Sequence, residues 1–479
     1  YKGRKASIDV ERVKQLKAVR ATIKFFCFTE QRVQASALHT AKYHWRCSLI
    51  CGISEIMLSV IAATWALLLG MALLMVGNGL QASLIGLRAT LEGFSTTTIG
   101  LIMSGFYVGF MLGSILTPIA LRRVGHIRVF AALAAVLSTA ALIHAVFIDP
   151  VFWTLMRVLT GLCYAGLYVV AESWLNDRAT NKTRGQLLSV YVVISLGGMG
   201  AGQLLLNLAS VQGYELFILA SILVSIAVVP ILLSAGPTPA FTASTRLGLS
   251  HLYRISPLGV IGTMGTGLAN GVLIGMGAVF GTQAGLSAAQ ISLFMGALFL
   301  GGMLLQWPIG RLSDRFDRRW MITIVTFLAA FAALGAIALS VVSHISLFIF
   351  IALLGGFSLP LYALCIAHAN DHLESSQMIA ASASLVLVMG IGASVGPLTA
   401  GVVMAVYGPD GYFWCLAIVH GAIGAFALYR MTMRPAVPLD DQSPYVPVTS
   451  QATPIALRDA MDVKPPSKTK MQYVKPTSP

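Results

Sequence analysis

Residues 57–80 read MLSVIAATWALLLGMALLMVGNGL, 24 residues without a charged side chain. About 20 apolar residues in a helix cross the hydrocarbon of a bilayer. Only helices and closed barrels satisfy their own backbone in lipid. A run this uniformly apolar lacks the alternation of a barrel strand. The stretch therefore reads as a transmembrane helix, and the fold depends on how many more follow.

Eleven more follow. The twelve candidate spans are 58–82, 97–120, 126–147, 150–173, 185–208, 213–234, 256–280, 290–312, 320–342, 344–367, 378–406 and 411–431. Composition agrees: the 479 residues are 57% hydrophobic and 10% charged, where soluble domains carry about 25% charged residues. Too few charges remain to cover a water-facing surface. An ordinary cytosolic enzyme, a nucleic-acid-binding domain and a disordered scaffold are excluded. The expected fold class is an all-α integral membrane protein with twelve transmembrane helices.

Charge orients the chain. The gaps after helices 2, 4, 6, 8 and 10 carry twelve basic residues: Arg122, Arg123, Arg128, Arg178, Lys182, Arg184, Arg246, Arg254, Arg311, Arg315, Arg318 and Arg319. The gaps after the odd-numbered helices carry only Arg88. Basic loops stay in the cytoplasm, so both termini are expected there. The net charge of +14 follows from this topology and does not call for nucleic acid.

The two halves repeat. GFSTTTIG at 93–100 matches GLSAAQIS at 285–292, and the same offset of 192 places Asn78 on Asn270, Gly109 on Gly301 and Arg123 on Arg315. Further along, an offset of 194 places Gly161 on Gly355, Tyr168 on Tyr362, Asn176-Asp177 on Asn370-Asp371, and Gly198 and Gly202 on Gly392 and Gly396. Six helices per copy make the copies parallel, an arrangement in which transporters bind solute between the halves near the midplane. The expected domains are a six-helix bundle at 57–234, a cytoplasmic linker at 235–255 and a second bundle at 256–434. Residues 1–56 are polar, carry 11 of the 32 basic residues, and are expected to lie upstream of a native start at Met57. The rival reading makes them a cytoplasmic arm. Residues 435–479, rich in Pro, Ser and Thr with no hydrophobic period, are expected to be a disordered tail.

Residues 310–319, GRLSDRFDRR, resemble the loop motif of the major facilitator superfamily, with Asp317 where that family has a second glycine. The first-half copy is degenerate, with Pro118 for the glycine and Arg122 for the aspartate. Arg157-x-x-x-Gly161 is similar to the family's second motif. Gly198-x-x-x-Gly202 resembles the glycine motif of drug/proton antiporters, but Gln203 stands in the place of its proline. RRVGHIRVFAA and AESWLNDRA look like the YcaD-like branch of bacterial members. The resemblance covers about 57–434. It implies two pseudo-symmetric six-helix bundles, secondary transport in a bacterial inner membrane, and protons as the coupling ion. In that family the loop motif stabilises one conformation, so Arg122, Arg123, Gly310, Asp314, Arg315, Arg318 and Arg319 are expected to gate. A solvated loop that only enforces orientation is the plainer reading.

Other candidates follow from polarity within apolar helices. Arg157 faces a cavity or a partner, or snorkels to the outer interface; the resemblance implies that the matching arginine takes part in coupling. Glu172 is a proton carrier or the partner of a gate arginine, Arg122, Arg123 or Arg184. Asn78, Gln81, Tyr107, Tyr168, Asn270, Gln306 and Tyr362 are candidates to line the substrate cavity, or they bond between helices. Arg88 and Glu92 read as a surface ion pair. The six cysteines form no disulfide framework, and the histidines show no metal-ligand spacing. No phosphate loop, nucleophile elbow or zinc-helix motif occurs in the chain, so neither an enzyme nor a cofactor is expected. The expected partners are a small-molecule substrate, a proton and membrane lipid, with the chain a monomer. The alternatives are a transporter-like sensor or scaffold that binds without transport, and within transport a multidrug or metabolite efflux antiporter.

Overall fold

The computed structural model describes residues 64–179, 183–233, 247–340, 343–374 and 377–462, and the helical backbone of 37–63. The chain divides into two units, 1–59 and 60–479. All that follows concerns the second. The expected start at Met57, and Lys182 and Arg246 of the charge count, lie outside the fully described residues.

Among the described residues twelve helices are long and apolar enough to cross a membrane, and there is no strand. They are α1 (Ala37–Leu91, spanning from Thr64), α2 (Thr96–Val124), α3 (His126–Val146), α4 (Pro150–Arg178), α5 (Arg184–Leu204) and α6 (Glu215–Leu233). The second half holds α7 (Pro257–Gln283), α8 (Ala288–Ser313), α9 (Arg318–Ser340), α10 (His344–Asn370), α11 (Met378–Tyr407) and α12 (Gly411–Met433). A short helix, Leu249–Ile255, precedes α7.

The repeated motif at 93–100 and 285–292 is a turn. Gly93 and Gly285 have φ of 78° and 77°, a left-handed conformation open to glycine. Ser95 and Ser287 then cap α2 and α8, accepting from Thr98 N at 3.2 Å and Gln290 N at 3.3 Å. The repeat thus encodes how each half makes its first hairpin.

The repeated glycines are where helices touch. In lipid, helix association relies on close van der Waals packing, which small residues permit. A Cβ at Gly109 would strike the Val158 carbonyl of α4, and one at Gly161 the Phe106 carbonyl of α2. The second half does the same between α8 and α10: Gly301 meets Ala352, and Gly355 meets Leu298. Gly198 and Gly202 pack α5 on α1, as Gly392 and Gly396 pack α11 on α7. Gln203, in the place of a proline, donates from Nε2 to Gly79 O at 2.8 Å and ties α5 to α1. Burial sorts the helices: 78% of the α1 and α7 spans is buried, against 39% for α3 and α6. So α1 and α7 stand at the centre and α3 and α6 at the periphery.

The halves meet at the end of the bundle away from the basic loops. There Gly100 of α2 packs on Pro397 and Leu398 of α11. Asn207 donates to Ser292 Oγ of α8 at 3.0 Å, and Ser292 donates to Gln203 O at 2.7 Å. Arg88 also lies at this end. It pairs with Glu92 at 2.6 Å and donates to the carbonyls of Val211 and Gln212, which lets α1 run to Leu91, past the expected limit of 82.

At the basic end the halves are held apart by chain expected to be disordered. Residues 435–462 continue from α12 as ordered structure, with a short 3₁₀ turn at Leu439–Asp441 and a final helix, α13 (Pro454–Met461). Val446, Val448, Thr453, Ala456, Leu457 and Met461 are buried. α13 packs on α4 and α5 of one half and on α10 and α11 of the other. This corrects the expectation of a disordered tail for residues 435–462; residues 463–479 lie outside the described residues. A Pro/Ser/Thr-rich segment has no period of its own, but its aliphatic side chains find an apolar cleft already built by other helices.

Candidate functional site

The centre of the bundle collects the polar residues of α1, α4, α7 and α10. Asn78 is 2% exposed and donates to Tyr168 Oη at 2.9 Å. Phe110 and Tyr164 flank the Tyr168 ring at 6.0 and 5.9 Å between centroids. Gln81 is buried on α1 with its amide nitrogen unpartnered. The second half holds the repeat mates in a different state. Asn270 and Tyr362 are wholly buried, yet neither amide atom of Asn270 nor the Tyr362 hydroxyl has a protein partner. Each buried unpaired polar group costs about 1–3 kcal/mol. Such groups on α1, α7 and α10, inside a membrane bundle, mark positions where something else can supply the hydrogen bonds.

Two of the expected cavity residues bond to the C-terminal segment. Asn78 also donates to Gln451 Oε1 at 3.1 Å, and Gln306 of α8 donates to Tyr445 Oη at 2.9 Å. Tyr445 lies against Gly310, where any side chain would displace its ring.

Arg157 sits two turns into α4 and is 3% exposed, so it does not snorkel to the surface. Its guanidinium lies 4.6 Å from the centroid of Phe106, and its Nε and Nη1 are buried without partners. Tyr107, Tyr164 and His144 are close enough to interact with it electrostatically.

Glu172 forms none of the expected gate ion pairs among the described residues. It accepts from Tyr191 Oη at 2.9 Å, from the backbone N–H of Thr453 at 3.2 Å and of Ala456 at 3.4 Å, and from the Thr453 hydroxyl. Arg122 and Arg123 are exposed, and Arg184 pairs with Asp462 at 3.0 Å. The physical reason is the C-terminal segment, which reaches Glu172 with uncharged donors.

The loop after α8 is built around Arg318, 1% exposed. It bonds Asp371 at the end of α10 at 2.5 Å, Asp314 at 3.6 Å, Ala367 O at 3.1 Å, and Ser443 O of the C-terminal segment. Asp371 also accepts from Ser443 N at 2.8 Å, and Asp314 from Tyr445 N at 2.7 Å. Arg319 grips Asp317 at 2.7 Å. Burial pushes the Asp317 carboxyl up, but the hydrogen bonds and charge of Arg319 outweigh it and leave the group below its usual value. Arg311 stacks on Trp307, and Arg315 is exposed.

Sequence reasoning missed two asparagines that receive the C-terminal segment. Asn370 donates to Met461 O at 3.1 Å. Its repeat mate Asn176, with its amide oriented to suit its neighbours, donates to Asp459 at 3.0 Å and accepts from Arg458 at 2.7 Å. The signal was the Asn-Asp pair repeated at an offset of 194. Tyr445, Gln451 and Thr453 gave no signal, because their roles depend on a cleft made by distant helices.

Residues 47–256 and 255–461 each match the sequence profile of the Major Facilitator Superfamily. The uncharacterized MFS-type transporter YcaD of Escherichia fergusonii is 26% identical over 355 residues, which is 74% of this chain and 92% of that protein. Among solved structures, the nucleoside transporter NupG superposes with a TM-score of 0.65 at 14% identity, covering 78% of this chain and 98% of that one. A D-xylose-proton symporter superposes with a TM-score of 0.57 at 14% identity, over 78% and 97%.

Proposed function

Because the chain belongs to the Major Facilitator Superfamily and is a multi-pass membrane transporter, we propose that it moves a small polar solute by alternating access, through a site between its two bundles. The carrying observation is the unpaired Asn270 and Tyr362, opposite the paired Asn78 and Tyr168. A solute with hydroxyl or amide groups completes these valences. The basic end faces the cytoplasm of a bacterium by the distribution of arginines, and the bundles rock about the centre.

Protons are the proposed coupling ion. Glu172 is a buried carboxylate whose donors belong to Tyr191 and to the C-terminal segment. Once that segment leaves, most of those donors leave with it, and a proton is the simplest replacement. Arg157 is the fixed cation in the same half. The proton-coupled fold neighbour, a D-xylose symporter, makes the reading reasonable.

The test is a thermal-shift screen of nucleosides, sugars, amino acids and organic acids, followed by counterflow in proteoliposomes with each hit. A ligand at 100 times its Kd stabilises by about 2.7 kcal/mol. Asn270→Ala and Tyr362→Phe are expected to abolish the shift. A shift that survives both substitutions refutes the site. A ligand that binds but never exchanges across the membrane refutes transport and favours the sensor.

A further inference from the structure

The basic-end vestibule is occupied from one wall to the other by residues 443–462. The segment enters beside the loop after α8, where Ser443 and Tyr445 bond Asp371 and Asp314. It reaches the centre at Gln451, bonded to Asn78 of α1. It then turns back at Thr453, bonded to Glu172 of α4, and leaves as α13 between Asn176 and Asn370. Residues 442–457 carry no charged side chain, so the inserted part brings no ionic desolvation cost to membrane depth. Pro444, Pro447 and Pro454 stiffen the chain and lower the entropy lost on docking.

We propose that the vestibule is a peptide-binding site whose ligand is the chain's own segment Ser443–Asp462, and that its docking shuts the transporter off. Two consequences of the geometry support inhibition. Asn78 at the centre and Gln306 nearer the basic end, both of which a solute entering from that end would meet, are already used by Gln451 and Tyr445. In addition, α13 lies between α4 and α5 on one side and α10 and α11 on the other. The basic end cannot close while that wedge is present, and without closure there is no alternating access. The inference adds a regulatory ligand to the proposed transport function, and its occupancy is read without any solute. Failure of one therefore leaves the other standing.

The experiment is maleimide labelling of Asn78→Cys in purified protein whose six native cysteines are alanine. In detergent the reagent has access to both ends of the bundle and reaches the centre through whichever end is open. Full-length protein is expected to label at least tenfold more slowly than protein ending at Gln442. A synthetic 443–462 peptide added to the truncated protein is expected to restore slow labelling. If truncation impairs folding, full-length Thr453→Glu sets a second carboxylate against Glu172 and is expected to release the segment. Equal labelling of full-length, truncated and Thr453→Glu proteins, fast or slow, overturns the proposal. So does a peptide that never protects the truncated protein.

Discussion

Arg318 shows how one side chain organises the basic end. It satisfies Asp371, whose side chain is 2% exposed, together with Asp314, Ala367 O and Ser443 O. Removing one member of a buried pair strands the other charge, at about 3–5 kcal/mol. Arg318→Met should therefore lower the melting temperature sharply. Arg319→Ala, which loses a more exposed pair with Asp317, should cost about 1 kcal/mol or less. Equal losses would show that Arg318 does not carry the junction. The arginines of this loop were legible in sequence as a charged motif, but the partner of Arg318 was not. Asp371 lies 53 residues away, and only the fold brings the end of α10 to the loop. The central polar residues behave similarly. Asn78 and Asn270 read as equivalents, yet one bonds both Tyr168 and Gln451 and the other bonds neither its own tyrosine nor the segment, a difference invisible to any comparison of the two halves.

At the level of helices, the repeat records contact points. Gly161 and Gly355 are symmetry mates that each abut a backbone carbonyl of the facing helix, so an added methyl forces α4 from α2 or α10 from α8. Overpacking of this kind costs about 1–3 kcal/mol. Gly161→Ala and Gly355→Ala should lower the melting temperature by similar amounts, while Gly421→Ala on α12, with open space around it, should not. A harmless Gly161→Ala would disprove the packing argument. The helices themselves were almost wholly legible, because lipid imposes a length and a composition that a sequence displays directly. The exception is the outer end of α1. There the expected span stopped at 82, whereas the helix runs on to Leu91, with Arg88 paired to Glu92 and bonded to carbonyls of the 211–212 loop.

Across the whole molecule, the two bundles join at one end and are propped open at the other by α13. Its Asp459 is 5% exposed. Burial pushes its carboxyl up to about 6, against the pull of Arg458 and Arg184 and with the push of Asp462. A free Asp titrates near 3.9. At Asp459, docking therefore binds a proton that the released segment gives up. Its contribution is complete below about pH 4 and is lost as pH rises through about 6. Glu172 pulls the other way, because the segment supplies donors to its carboxylate, so the Asp459 share is read as a difference. From pH 5 to pH 7.5, hydrogen-exchange protection of residues 454–461, corrected for intrinsic rates, should fall more or rise less in the unmodified chain than in Asp459→Asn. The same pH dependence with and without Asp459→Asn would refute the assignment. The C-terminal segment was the least legible part of the chain, since its composition is that of a solvated tail and its order comes from the cleft. The tether has a kinetic and thermodynamic meaning too. Residues 434–442 join the last transmembrane helix to the segment, and so short a link holds it at a local concentration of about millimolar or more. A free solute competes against that standing supply. Any dissociation constant measured on the full chain is then an apparent one, weaker than the intrinsic value by the fraction of molecules whose vestibule is empty.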